Sequence, residues 1–510
     1  MGRTGIGWRR TVSPAATLVL LALVAATGCE SAPDAPRGKD AAPAPSAARV
    51  CAAPAPGPAT APPGAVTVDP TVTGDLAVKT RNSPPRTVFW LRPGVHTLPR
   101  DRFAQVVPKE GNSYVGAPGA VLDGRRTNQY AFGGAARDVT VRHLTVQGFV
   151  APHDEGVVNH DSADGWTIEH STVQHNSGAG LMAGAGQRVR ANCLRANGQY
   201  GMNAYKAEGR ITGLVVEGNE ITGNNTDDWE RRRPGCGCTG GVKFWAVDGA
   251  DVRGNWVHDN RGAGLWADTN NNDFRIEGNL LESNDGAALI YETSYNAVIR
   301  ANTIRRNNWV EGRRYADRGD TFPFGTVYVS ESGGEPRIPA RTDRIDIHRN
   351  VLEDNWSGIT LWENADRFCN SPANTSSGHC TLLVADTARC AQPGIATAPL
   401  YDDCRWKTQR VDVHGNRFAL DTSVVPCTVR CDRMAVLANY GTYPDWSPYQ
   451  GERVARAITR EQDNRFWDND YVGPWTFVAH DPSRTLDPGQ WQGTPYQQDA
   501  GSTFRARDGG

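Results

Sequence analysis

The residues best placed to do chemistry are three acids that recur at one count. Asp268 lies eight positions after Asn260, Glu292 eight after Asn284, and Glu363 eight after Asn355. In Gly264-Leu-Trp-Ala-Asp268 the alternation turns Leu265 and Ala267 inward and Trp266 and Asp268 outward. In Ala288-Leu-Ile-Tyr-Glu292 it turns Leu289 and Tyr291 inward and Ile290 and Glu292 outward. If the two segments are neighbouring parallel strands, ~4.8 Å apart, the carboxyls approach to ~5 Å on a shared solvent-facing flank. Like charges so placed destabilise a sheet unless one takes up a proton. A neutral acid ~5 Å from an ionised carboxylate is the arrangement that cleaves glycosidic bonds with retention. One member protonates the leaving oxygen while the other attacks the anomeric carbon. The plainer alternative makes Asp268 a cap for the turn before Asn270-Asn271-Asn272 and Glu292 a solvated surface acid. Two stacked acids beside Trp266 favour catalysis.

A cation and several rings gather around this pair. Matching the leading glycines sets Gly241-Val-Lys243-Phe-Trp245 against Gly264-Leu-Trp266-Ala-Asp268, so Lys243 points outward, one coil from Trp266 and close to Asp268. Beside a carboxylate Lys243 stays charged and binds substrate or positions Asp268; lowered by burial, it would instead act as a base. That second role is the rival chemistry, elimination or epimerisation of an acidic polysaccharide, with Ca2+ held through Asp268 and Glu292. Hydrolysis requires no cofactor or metal. Trp245, Trp266 and Glu363 are expected to line the substrate site. Residues 225–239, with Trp229 and Arg231-Arg232-Arg233, and residues 308–323, with Trp309, Arg313 and Arg314, return just before strands of this face. They should therefore wall a cleft, where rings suit sugar faces and Arg suits hydroxyls or uronate carboxylates. Packing is the alternative role for Trp229 and Trp309.

The elements that must position these residues are read from an Asn pair five residues apart. It recurs as Asn192/Asn197, Asn219/Asn224, Asn255/Asn260, Asn279/Asn284, Asn302/Asn307 and Asn350/Asn355, with Ser171/Asn176, Asn416/Asp421 and Asn464/Asn469 as degenerate copies. Uninterrupted steps are short: 192−171 is 21, 279−255 is 24 and 302−279 is 23. Each unit reads strand, turn, strand, turn, which means a solenoid whose coils complete their core by stacking. A fixed Leu comb is missing, and propeller blades need about twice this period. The pattern resembles the right-handed parallel β-helix of the pectate-lyase-like superfamily. Thr87-Val-Phe-Trp-Leu-Arg-Pro-Gly94 and Gly116-Ala-Pro-Gly-Ala-Val-Leu-Asp-Gly124 look like that superfamily's first coils. The resemblance implies an all-β solenoid of about ten coils over residues 67–500, a fold that hosts lyases, hydrolases, epimerases and phage adhesins. The Asn pairs need no chemistry: stacked amides bond from coil to coil and tolerate left-handed turns.

A second resemblance is local. Leu265-Trp-Ala-Asp268, followed one coil later by Ile290-Tyr-Glu292-Thr-Ser294, looks like the catalytic stretch of glycoside hydrolase family 120, the β-helical β-xylosidases. It implies Asp268 as nucleophile and Glu292 as acid/base. The chain departs from that family where His-Gly-Pro is replaced by Tyr295-Asn296-Ala297, and in having no room for its inserted β-sandwich.

The ends of the chain supply an address. Arg3, Arg9 and Arg10 precede an apolar run, residues 15–26, too short for a stable membrane span and followed by Thr27-Gly28-Cys29. That ending resembles the lipobox of bacterial lipoproteins, which implies a signal peptide over residues 1–28, lipidated Cys29, and a protein anchored outside the cell membrane. Ala, Pro and Ser dominate residues 29–66, as in an extended tether, and residues 501–510 read as a tail. Beyond Cys29 ten Cys remain, an even number that favours disulfides. Zinc is the rival, but Cys236-Gly-Cys238 lacks the two-residue gap of a zinc knuckle. Of these, Cys369, Cys380, Cys390 and Cys404 crowd an insertion expected to close one end or cover a sheet edge. With 54 Lys and Arg against 56 Asp and Glu, net charge is −2, which excludes a nucleic-acid partner. The reading is therefore an exported, monomeric carbohydrate-active enzyme, most simply a retaining glycoside hydrolase. A polysaccharide lyase or epimerase, or a non-catalytic glycan-binding solenoid, is the alternative.

Overall fold

The computed structural model describes residues 49–238, 240–374, 379–427 and 430–507. The signal segment and Cys29 lie outside the described residues. Short runs of alternating apolar residues form strands of three to seven residues, stacked into parallel sheets of thirteen, thirteen and ten strands. The result is a right-handed parallel β-helix, with more rungs in two of its sheets than the ten or so coils expected. Register is continuous across the third, ten-stranded sheet, where Lys243 pairs with Trp266, Trp266 with Ile290, Ile290 with Tyr328 and Tyr328 with Thr360. Inward neighbours of these residues, Leu265, Ala267, Leu289, Tyr291, Val327, Val329, Ile359 and Leu361, are buried in one core. Each fully buried aliphatic side chain contributes about 1.5–3 kcal/mol, so the stack of coils is its own source of stability.

The Asn pairs form two buried ladders. Asn255 donates from N–H and Nδ2 to Asn279 Oδ1 at 3.0 and 2.9 Å, and from Nδ2 to Val216 O at 2.9 Å. Repeating this pattern satisfies turn amides and carbonyls that would otherwise be buried unpaired. One expected pair is corrected. Asn469 continues the first ladder, accepting from Asn416 Nδ2 at 3.2 Å, while Asn464 accepts from the N–H of Val411 at 3.2 Å. Insertions between coils had shifted the count.

Both ends of the solenoid extend further than expected. Cys51 is bonded to Cys193, Trp90 Nε1 donates to Pro58 O at 3.1 Å, and the His143 ring bonds Ala55 O at 3.1 Å. The segment from 51 to 65, expected as tether, is thus strapped along the coils. At the other end Thr503–Arg505 pairs with Asp470–Val472, so the expected tail adds a rung. The remaining disulfides are Cys236–Cys238, Cys369–Cys380, Cys390–Cys404 and Cys427–Cys431. Among the described residues no helix is long and apolar enough to cross a membrane.

Candidate active site

The third sheet carries the site. Its strands Val242–Phe244, Leu265–Ala267, Leu289–Glu292, Val327–Ser330 and Ile359–Glu363 are successive neighbours. Phe244, Ala267, Tyr291, Val329 and Leu361 share one inward row, so the residues that follow them form an outward column: Trp245, Asp268, Glu292, Ser330 and Trp362. Asp268 and Glu292 therefore occupy the same position on adjacent strands. Glu363 falls one residue beyond the column, level with Glu331.

Asp268 is not open to solvent as expected; it is 7% exposed. Its Oδ2 lies 2.9 Å from Lys243 Nζ, and its Oδ1 accepts from Thr269 N at 2.7 Å and Thr269 Oγ1 at 3.0 Å. One oxygen caps the turn while the other faces a cation. Burial acts to raise this carboxyl, but Lys243, then Arg367, outweigh it and hold Asp268 below the ordinary carboxylate range. Lys243 in turn lies over the Trp266 ring, 4.4 Å from its centroid, and also donates to Gly237 O. Burial opposes the Lys243 charge, yet Asp268 and further acidic neighbours raise it above its ordinary value, so Lys243 is a cation and not a free base. Gly237 has φ +57°, and a Cβ there would meet Trp266 Cη2 at 3.1 Å, so the Cys236–Cys238 loop closes down on this pair.

Glu292 sits in a second charged group. Its Oε2 accepts from Trp266 Nε1 at 2.9 Å, and its Oε1 from Arg367 Nη1. The same Arg367 nitrogen lies 3.6 Å from Glu331 Oε2. Glu331 is 1% exposed, and its Oε1 accepts from Asn364 N at 2.9 Å. Burial pushes the Glu331 carboxyl up to about 7, with Arg367 working against the rise and the Glu292 charge adding to it. Thr293 and Glu331, which directly follow the last column positions of their strands, have φ of 41° and 44°. Left-handed backbone at a β-branched residue is costly, and such strain collects at functional sites.

Several expected site residues lie elsewhere. Trp309 donates from Nε1 to Asp354 O at 2.8 Å and packs on the core. Trp229 packs with Ala179, Tyr200 and Cys238, its ring 4.4 Å from that of His153. Glu363 is 1% exposed and serves a buried network with Arg405 Nη1 at 2.8 Å, Thr408 N and Gln462 Nε2 at 2.8 Å. Trp245 does stand beside Asp268 in the column, its ring 5.3 Å from His379. Residues the sequence did not point to are Arg367 and Phe322, whose ring is 6.1 Å from Tyr328 and 4.8 Å from Trp362. The Cys-rich insertion does not close an end: Arg367 reaches Glu292, and Cys380 O accepts from Asn270 Nδ2 at 2.8 Å, so it walls this site. A cavity of about 670 Å³ lined by Tyr401, Arg405, Lys407 and Arg453 contains neither column acid.

A calcium ion does not fit this donor set. Asp268 already faces Lys243, and Glu292 and Glu331 share Arg367, so the carboxyls that an ion taking 6–8 oxygens would need are engaged by cations.

The family model described as right handed beta helix region matches residues 156–335. No curated protein matches the sequence. Among similar solved structures, the catalytic unit of a GH87 α-1,3-glucanase from Streptomyces thermodiastaticus is 14% identical, with 89% of this chain and 69% of that chain covered and a TM-score of 0.46. The Agl-KA catalytic domain is 10% identical over 89% of this chain and 70% of that one, with a TM-score of 0.47. A mannuronan C-5 epimerase A-module from Azotobacter vinelandii is 11% identical over 88% of this chain and 97% of that one, with a TM-score of 0.36. The parallel sheets and the family match together identify the chain as a right-handed parallel β-helix protein.

Proposed function

We propose that this face hydrolyses a glycosidic bond of a polysaccharide or oligosaccharide with retention of configuration. The observation that carries the reading is the placement of Asp268 and Glu292 at one position on adjacent strands, with only Asp268 paired to Lys243. A retaining mechanism needs two carboxyls roughly 5–5.5 Å apart, one ionised and one able to give a proton. Asp268, held ionised by Lys243, is the nucleophile and attacks the anomeric carbon. Glu292 is the acid/base. It shares the Arg367 guanidinium with Glu331, so two acids sit on one cation. Of the two, Glu292 has the more exposed side chain, 15% against 1%, and so faces the sugar. Trp245, Trp266, Tyr328 and Trp362 are half-buried on the same face and offer ring surfaces to pyranoses. Cys29 would carry the lipid that fixes the enzyme outside the cell membrane.

Arg367 and Lys243 favour a second reading, because two cations in one cleft would also neutralise a uronate carboxylate during elimination or epimerisation. Product chemistry separates the two. Purified protein is incubated with a panel of neutral and acidic polysaccharides, and reducing ends are followed beside ultraviolet absorbance. Hydrolysis gives reducing ends without absorbance; absorbance rising in step with them marks an unsaturated uronate and overturns the hydrolase.

A further inference from the structure

The loop that covers Lys243 contains a group of donors the proposed chemistry does not use. His153 Nδ1 lies 2.8 Å from Asp154 Oδ2, which places the ring proton on Nδ1 and leaves the Nε2 lone pair free. That Nε2 is buried without a hydrogen-bond partner. Two sulfurs stand near this ring: a His153 ring nitrogen, Cys236 Sγ and Cys238 Sγ all lie within 4.8 Å of one another. Glu230 Oε2 is 3.8 Å from Cys236 Sγ and supplies a fourth donor. An imidazole oriented through Nδ1 by a carboxylate, aimed at two sulfurs, is the pattern of a metal-ligating histidine with its outer partner.

We propose that His153, Cys236, Cys238 and Glu230 bind one thiophilic divalent ion, of the zinc class, once the Cys236–Cys238 disulfide is reduced. The disulfide accepts two electrons and two protons from two thiol molecules, which leave joined as their own disulfide. The ion then displaces the two cysteine protons and binds both thiolates, the His153 Nε2 lone pair and the Glu230 carboxylate. Zinc holds sulfur at about 2.3 Å and nitrogen at about 2.0–2.1 Å, so its donors stand about 3.5–4 Å apart, inside the 4.8 Å that already holds the His153 nitrogen and the two sulfurs. The site borders the cleft, because Gly237 between the two cysteines accepts from Lys243 Nζ and abuts Trp266. The inference does not rest on the proposed glycosidase activity.

The test is a Co2+ titration of the full chain after mild thiol reduction, with free thiols at 236 and 238 verified by alkylation and peptide mass. The expected result is one Co2+ per chain, with thiolate-to-cobalt charge-transfer bands that are absent before reduction. The bands disappear in the Cys236→Ser/Cys238→Ser double variant, whose folding is checked by thermal melting. Asp154→Asn, which weakens the carboxylate contact that orients His153 and keeps an amide oxygen for the bond from Gln199 Nε2, should weaken binding by about tenfold or more. Reduced protein that takes up no cobalt, or a double variant that keeps the same bands, overturns the site.

Discussion

Lys243 Nζ meets Asp268 Oδ2 at 2.9 Å across two adjacent strands, and both side chains are about nine-tenths buried, at 13% and 10% exposure. A buried pair of this kind adds little net stability over apolar packing, but removing one partner strands the other charge. Its value therefore lies in fixing the ionisation and position of Asp268.

Lys243→Met should cost about 3–5 kcal/mol of stability near neutral pH, because the Asp268 charge is left uncompensated. The sign with pH follows from the lowered Asp268 carboxyl. In wild type its contribution is present above the ordinary value of 3.8 and is lost as pH falls through the still lower folded value. Without Lys243 the carboxyl rises, so the acid limb of the activity profile should move to higher pH. Denaturant melts and rate profiles across the acid range check both.

Asp268→Asn and Glu292→Gln should each lower kcat by about 10²–10⁴-fold; Asp268→Asn also leaves the buried Lys243 charge uncompensated, so its melt should fall about as far as that of Lys243→Met. Asp268→Ala should regain turnover with azide, which enters as an external nucleophile and gives a glycosyl azide of inverted configuration. Folded Asp268→Asn that keeps the wild-type kcat would show that the residue acts through the fold alone.

Glu331 has a carboxyl raised to about 7, so the folded state holds its proton more tightly than the unfolded chain, whose ordinary value is 4.5. Its stabilising contribution is complete below the unfolded value and is lost as pH rises toward about 7, a change of roughly 3 kcal/mol at most. Glu331→Gln should flatten that part of the stability curve, measured as midpoint temperature against pH beside wild type. Unchanged curvature would place the proton elsewhere.

Asn279→Ala tests the ladder. The residue accepts from Asn255 N–H and Nδ2 and donates to Val252 O and Asn302 Oδ1. Its loss leaves two buried backbone groups of the preceding coil, Asn255 N–H and Val252 O, without this partner, at about 1–3 kcal/mol each. Destabilisation of about 3 kcal/mol or more in a urea melt is expected.

The solenoid was legible because a short repeat writes its period into the chain. Counting from the Asn pairs put Asp268 and Glu292 in one column, and matched glycines put Lys243 beside them. The same count failed at Glu363, where one residue of slip moves the side chain from the outward column to a buried position at the end of its strand. Asn469 was misread for a related reason, since long insertions separate its coil from the previous ones. Arg367 was beyond reach: it sits in an insertion without periodicity, and only folding brings it to Glu292. Trp229 and Trp309 show the limit of composition, because indole rings near a cleft are as useful for packing as for binding sugars. Burial of Asp268 was equally hidden, because the loop that meets its partner Lys243 through Gly237 lies in an insertion without periodicity.

The most direct check on Asp268 and Glu292 as a retaining pair is the anomeric configuration of the first product, followed by proton NMR on the glycan that the substrate panel identifies. Early signal from the anomer with the substrate's own configuration, relaxing later to the equilibrium mixture, is predicted. Early signal from the opposite anomer would contradict a glycosyl intermediate on Asp268.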